Sequence, residues 1–316
     1  MNSLFARSRA EAFAPASVGN VGVGFDILGH ALAGAGDRVD VQLIDQGEVR
    51  IAGIHGADRE LPLQPEKNTA GAALLALRQQ LGCAEGFEIS IHKGIPFGSG
   101  MGGSAASAVA ALVAANALLA QPLALSALYP LALSGEAVAS GSRHGDNVAP
   151  MLLGGLALAV GERAPVKLPV HENLICAHAH PHCALETRAA RAALAGHYSL
   201  SEFVAQSGHL ALFLTGVAQG DRELIAAGLR DVLIEPRRAA LIPGFAAVKQ
   251  AALQAGALGA AISGAGPSVF AWCWGEANAQ TVGEAMVAAF AEAGLAADLL
   301  VGPVETPGAH LLSSSA

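Results

Sequence analysis

The stretch that most limits what this chain can become is residues 94–107, "GIPFGSGMGGSAAS". Four of the six residues from Gly98 to Gly103 are glycine, and a run of small, Ala-rich residues follows directly. Glycine admits positive φ and lets a ligand come up against the peptide plane. A helix opening just behind such a turn directs unpaired N–H groups and a partial positive charge back onto it. The combination reads as an anion site, most often one for phosphate, ahead of the plainer alternative of a turn that only reverses the chain.

What the sequence lacks narrows the kind of loop. No Gly-Lys-Ser/Thr occurs, which removes the P-loop. Gly98-x-Gly100-x-x-Gly103 fits the GxGxxG of a dinucleotide fold, but that fold wants an acidic residue about twenty positions later. No Asp or Glu lies between Glu88 and Glu136. A nicotinamide-dependent oxidoreductase is therefore disfavoured. What remains is a loop with hydroxyls on its helical side, Ser104 and Ser107. A serine there caps the helix or, beside a bound nucleotide, lends an oxygen to Mg²⁺. Glu136 is the nearest downstream carboxylate for the same ion.

Composition excludes several partners. Hydrophobic residues make up 53% of the 316, with alanine the commonest of them, while aromatics reach only 4%, which favours closely packed elements over disorder. Formal charge is −8 and the 18 Lys and Arg are scattered, so no basic stripe is offered to nucleic acid. The apolar run 105–120 is too short and alanine-dominated for a membrane span. The opening residues "MNSLFARSRAEAFAPAS" lack the apolar segment of a leader, and Cys83, Cys176, Cys183 and Cys273 show no CxxC pairing. A cytoplasmic protein is expected.

The hydrophobic pattern predicts alternating strands and helices. Residues 37–44 and 48–54 read as half-buried antiparallel strands, and 87–92 as the strand entering the glycine loop. Asn68 can cap a helix that stops at Gly82; 104–119 and 124–139 follow as helices, with Pro130 early in the second. A turn and strand are expected over 152–160, and a linker near 161–169. Beyond it come a strand at 173–179, helices near 187–195, 200–217, 221–229 and 245–256, and two strands around a second glycine turn, "SGAGPS" (263–268). A last helix and strand close an α+β chain in two halves. The "SSSA" tail reads as low complexity.

Taken together, separate motifs in order along nearly the whole chain resemble the GHMP kinase superfamily and, within it, the homoserine kinase family. They are "APASVGNVGVGFDILGHAL" (14–32), "PFGSGMGGSAAS" (96–107), "GEAVASGSRHGDNVAP" (135–150), "TRAAR" (187–191), "IEPRRAALIP" (234–243) and "ISGAGPS" (262–268). The HxDNVAP and EPxR stretches carry the narrower likeness. The resemblance implies a two-domain GHMP kinase fold: an N-terminal domain like domain 2 of ribosomal protein S5 over 1–163, and a C-terminal α+β sandwich over 164–316. It implies MgATP-dependent phosphorylation of the L-homoserine hydroxyl, a step toward threonine, by a homodimer. The alternatives are a GHMP-type kinase for another small alcohol and a non-catalytic binding protein of the same fold. Retention of Ser104, Glu136, Asp26 and both arginines named below argues against the last.

By the same resemblance, Pro96, Phe97, Gly98, Ser99, Gly100, Met101, Gly102, Gly103, Ser104, Ala105, Ala106 and Ser107 form the ATP loop, with Asn68 near adenine. Ser104 and Glu136 would hold Mg²⁺. Asp26 would take the ammonium of homoserine, and Asn20 the same end or the hydroxyl. Arg191 and Arg238, beside His144 and Thr187, would take the carboxylate, for which planar bidentate donors suit best. Gly264 and Gly266 would close from the second half. Asn147 would position the hydroxyl while Asp146 orients its neighbours, with no strong protein base. The chain departs from the family's usual residues at Gly103 (usually Ser), at Met101 (usually Leu), and at Gly19 and Val21.

One cluster stands apart. His178, His180 and His182 alternate near Cys176 and Cys183, which makes a zinc site conceivable if a strand runs past Pro181. They are read as surface or lightly buried histidines at a strand end.

Overall fold

The structure, a computed structural model, describes residues 4–315, and of Ser140 the backbone only. All counts below refer to those residues. The chain runs β1 (Arg9–Gly19), β2 (Leu28–Ile44), β3 (Val49–His55), α1 (Thr69–Leu81), β4 (Gly86–His92), α2 (Gly103–Leu118), α3 (Leu125–Ser140), α4 (Val148–Leu153), β5 (Leu156–Leu158), β6 (Val166–Leu168), β7 (Leu174–Pro181), α5 (Thr187–Ala192), α6 (Leu200–Gln219), α7 (Arg222–Gly228), α8 (Glu235–Arg238), α9 (Phe245–Gln254), β8 (Gly259–Ile262), β9 (Val269–Trp274), α10 (Glu276–Glu292), β10 (Ala297–Pro303) and β11 (His310–Ser315).

Seven strands form the first sheet in the order β11-β1-β2-β4-β3, with β5 and β6 continuing from β2. Its inner face is covered by α2, which is buried nearly all round and also touches α1, α3 and α4. The alanines of α2 explain how: Ala105, Ala106, Ala108, Ala110, Ala111, Ala114 and Ala115 are fully buried, and their short side chains let sheet and helices close in on every side. The second sheet, β10-β7-β9-β8, is backed by α9 and α10 around Phe245, Val248, Met286 and Phe290. Its other face meets the first half through Cys176, Phe270 and Trp272, with Phe213 of α6 against Trp272. No helix among the described residues is long and apolar enough to cross a membrane.

Local chemistry sets the element ends. Asn68 caps α1 by accepting from the Ala70 and Gly71 N–H groups, and Gly82 ends it in the left-handed region. Ser199 and Glu202 make a reciprocal capping box on α6.

Several expectations change. The strand over 48–54 pairs with β4 in parallel and not with β2, so it is not part of an antiparallel pair. Residues 148–153 form a helix; Pro150 sits in its first turn, where no N–H is needed. Strand β7 continues to Pro181, whose missing N–H is tolerated at the strand's last residue. The serine-rich tail is strand β11, antiparallel to β1 with Arg9 opposite Ser315. Both β6 and β11, from residues 164–316, thus belong to the first sheet.

Candidate active site

A cleft of about 840 Å³ lies between the two sheets' outer loops, within the range of small-ligand sites. Its floor is the glycine loop, and the way that loop is held dictates what it offers. Every carbonyl from Gly98 to Gly103 is already taken. Leu185 N–H donates to Gly98 O at 3.0 Å, Ser268 Oγ to Ser99 O at 2.6 Å and Ser263 Oγ to Gly100 O at 3.0 Å. Ser17 N–H donates to Met101 O at 3.1 Å, Ala106 N–H to Gly102 O at 3.0 Å and Lys93 Nζ to Gly103 O at 2.6 Å. With the carbonyls turned outward, no backbone N–H from Gly98 to Ala105 meets an acceptor among the described residues. These donors stand at the start of α2, where its dipole is positive. Such an arrangement suits a polyanion.

Glycine is required here by close approach. Gly100 has φ +78°, and a Cβ on it would come within 2.5 Å of Ser263 O; one on Gly102, at φ +71°, would come within 2.7 Å of Met151 Cε and Ser17 Oγ.

Beneath the loop lies a network absent from the sequence reading. Asp37, fully buried on β2, accepts from Gly94 N–H at 3.0 Å, Ile95 N–H at 3.3 Å and Ser107 Oγ at 2.6 Å, and it ion-pairs with Lys93. Lys93 also reaches Ser107 Oγ at 2.9 Å. Ser107, expected in the ATP loop, lines the cleft with its hydroxyl engaged by Asp37 and Lys93. Ala105 and Ala106 are buried in the helix packing and contribute backbone to the loop region, not side chains to the cleft. The only hint of Lys93 in the sequence was its place just ahead of the loop; Asp37, 56 residues earlier, gave none.

Ser104 Oγ donates to Glu136 Oε2 at 2.8 Å across the α2–α3 contact. Burial pushes the Glu136 carboxyl up to about 7; the Ser104 hydrogen bond opposes this, Asp146 adds to it and Lys93 opposes it. Two adjacent hard oxygen donors beside the open N–H groups of the loop fit Mg²⁺, which takes few protein ligands and completes its shell from water and ligand oxygens. Among the described residues, no group of three His, Cys, Asp or Glu is placed to hold a metal.

On the opposite wall the chain between β1 and β2 is wound through unusual backbone: Asn20, Val21 and Asp26 have φ of +69°, +42° and +61°. Strain of this kind on β-branched or acidic residues persists only when neighbours hold it. Asn20 Oδ1 accepts the Asp26 N–H at 2.9 Å while its Nδ2 donates to Gly264 O at 2.8 Å. Arg191 grips Asp26 through two bonds, 2.8 and 3.2 Å, and His144 Nδ1 stands 3.5 Å from the same carboxylate. Arg238 is almost fully buried; it donates to Ala190 O and Gly264 O, both at 3.1 Å. Both guanidiniums sit 5.2 Å from the Phe25 ring centre. Thr187 opens α5 at the rim.

Between these walls, Ser17 Oγ donates to Asn147 Oδ1 at 2.8 Å and Asn147 Nδ2 faces Asp146 Oδ1 at 3.4 Å. Burial, with Asp26 adding, pushes the Asp146 carboxyl up to about 7. The departure at Gly19 has a local reason: a Cβ there would come within 2.6 Å of Asp146 Oδ2. Gly264 and Gly266 pack against Gly100 of the loop. Asn68 and Phe97 line the other end of the cleft, where Arg59 covers the Phe97 ring at 4.0 Å.

The histidine cluster corrects the reading of a lightly buried strand end. His178 is fully buried with neither ring nitrogen bonded, and burial pushes its pKa down to about 3. His180 is buried and contacts Ser268, while His182 is exposed and pairs with Asp298 at 3.0 Å.

The sequence profile of the GHMP kinases N terminal domain matches residues 68–155, and that of the GHMP kinases C terminal region matches 213–292. The chain is 60% identical to a homoserine kinase of Xanthomonas campestris pv. campestris, over 96% of this chain and 94% of that one. It is 57% identical to a homoserine kinase of Xylella fastidiosa strain 9a5c, over 97% and 95%. The crystal structure of a homoserine kinase from Cytophaga hutchinsonii superposes with a TM-score of 0.93 at 42% identity, covering 99% of this chain and all of that one. The crystal structure of L. major mevalonate kinase, at 14% identity and a TM-score of 0.69, shares the fold.

Proposed function

The chain belongs to the GHMP kinases, within them to the homoserine kinases, and on that premise we propose that it transfers the γ-phosphoryl group of ATP to the hydroxyl of L-homoserine, giving ADP and O-phospho-L-homoserine. The observation that carries this reading is the loop with all six carbonyls from Gly98 to Gly103 turned away and its N–H groups left open, facing an Asp–Arg–Arg cluster across one cleft.

Phosphoryl transfer asks for positioning and charge stabilisation more than for covalent chemistry. The loop N–H groups would cradle the ATP phosphates, with adenine toward Asn68. Ser104 and Glu136 would hold Mg²⁺, which when bound neutralises charge on the phosphate oxygens. Homoserine is a zwitterion with a hydroxyl. Its ammonium would lie against Asp26 and its carboxylate against Arg191 and Arg238, flanked by His144 and Thr187. Since Arg191 already pairs with Asp26, the bound zwitterion interleaves with that pair: each of its charges meets one member. Asn147, held by Ser17, would orient the hydroxyl toward the phosphoryl group, with Asn20 beside it and Asp146 fixing Asn147. The hydroxyl proton leaves to a phosphoryl oxygen.

A homodimer and a cytoplasmic setting belong to the same proposal. All four cysteines are free thiols, which suits a reducing compartment. The deciding experiment is ADP release measured with homoserine, mevalonate, galactose and shikimate in turn. Turnover with homoserine alone is expected, and faster turnover with any other alcohol would overturn the assignment.

A further inference from the structure

Ser99 sits in the middle of the glycine loop, and its carbonyl is held on the side away from the cleft by Ser268 Oγ of the second glycine turn at 2.6 Å, with the Ser268 N–H at 3.4 Å. A carbonyl carries no hydrogen, so the single hydroxyl proton of Ser268 lies in that bond. His180 Nδ1 stands 3.0 Å from the same Oγ, which can then only accept. The imidazole is therefore the Nδ1–H tautomer, donating to Ser268 as Ser268 donates to Ser99. Ser268 is fully buried and Ser99 and His180 nearly so, leaving little room for water to replace any of them.

The chain of bonds has a consequence at the loop. Ser99 C=O and Gly100 N–H belong to one peptide plane and point in opposite directions. While the carbonyl is held on the far side, the Gly100 N–H is aimed into the cleft. A serine hydroxyl otherwise has three staggered positions to choose from. The imidazole N–H occupies an Oγ lone pair and leaves the proton in the position that meets Ser99.

We propose that His180 is a positioning residue for the nucleotide loop, acting through Ser268 to fix the Ser99–Gly100 peptide; this rests on the reading of the loop as the phosphate site. It gives one member of the histidine cluster a task, carried from β7 of the second sheet to the loop of the first.

The test titrates ADP into the full chain and follows KM for ATP and for homoserine in four proteins: wild type, His180→Ala, Ser268→Ala and the double variant. His180→Ala is expected to weaken ADP and raise the ATP KM about five- to tenfold, the worth of one buried hydrogen bond, with the homoserine KM within about twofold. Ser268→Ala should do the same, and the double variant should be no worse than Ser268→Ala alone. His180→Asn, which keeps an N–H in nearly the same place, should recover most of the loss. In imidazole-labelled wild type, the His180 Nδ1 should resonate as protonated. Unchanged ADP affinity in both single variants, multiplying effects in the double, or an unprotonated Nδ1 would each overturn the proposal. The last reading needs no variant to fold. A wild type that ignores ADP would instead overturn the nucleotide reading itself.

Discussion

At the scale of single residues, Asp146 carries the sharpest question. Its carboxyl is pushed up to about 7 by burial, which would suit a proton acceptor, yet it faces Asn147 and the backbone of residue 20. If it only orients Asn147, Asp146→Asn keeps kcat within about tenfold, whereas removing a general base costs about 10²–10⁴. Steady-state kinetics at saturating homoserine and ATP distinguish the two. Gly103 makes a second case. A Cβ there would come within 3.2 Å of Ile95 Cγ2 and 3.5 Å of Lys93 Nζ, so a serine needs only a small shift of Ile95 to set a hydroxyl at the mouth of the loop. Gly103→Ser is expected to lower the ATP KM by about fivefold, one added hydrogen bond to a charged ligand; a KM that stays or rises would show the hydroxyl turned away.

At the scale of elements, the loop and α2 are fastened to β2 by the Asp37–Lys93–Ser107 network. Asp37→Asn leaves the Lys93 ammonium without its counter-charge in a nearly closed site, and should destabilise the fold by about 3–5 kcal/mol. Urea unfolding reads this directly, and a loss under 1 kcal/mol would mean that Lys93 turns out to water. What the sequence announced at this scale was chemistry local in the chain: Asn68 with Gly82 bracketing α1, and glycine with serine at the mouth of α2. Strand β1 escaped because Pro15 interrupts it, and the structure accommodates that proline at a register shift against β2. Strand β3 alternates like an antiparallel strand, but its parallel pairing with β4 follows from the crossover through α1, which lies between the two in sequence and packs on β3. Short α4 is hidden by Pro150. In the site, motif residues were legible one at a time; the carbonyl donors Ser263, Ser268 and Leu185 lie more than eighty residues from the loop and act only through the fold.

At the scale of the whole molecule, four buried groups set opposed pH dependences. Burial pushes Glu136 and Asp146 up to about 7, so the native state keeps protons there that the unfolded chain has lost above its ordinary carboxyl range. Burial pushes His30 down to about 4 and His178 to about 3, so the native state lacks protons that the unfolded chain still binds below 6.5. The carboxyls favour the fold as pH falls from about 7 and the imidazoles disfavour it, and between about pH 4.5 and 6.5 the two pairs offset each other. His178→Asn tips the balance: relative to wild type, its stability should fall by about 1.4 kcal/mol for each pH unit gained between 4.5 and 6.5. Parallel pH profiles for the two proteins would show that His178 is not neutral inside.

The strand that completes the first sheet, β11, lies against β1 from about 300 residues downstream. On the ribosome, β1 therefore emerges with one side bare and keeps it bare while the rest of the polypeptide is made, about 15–60 s at ordinary translation rates. Whatever shields that side in the interval, whether a chaperone or a transient partner within the nascent chain, must let go before the enzyme can close.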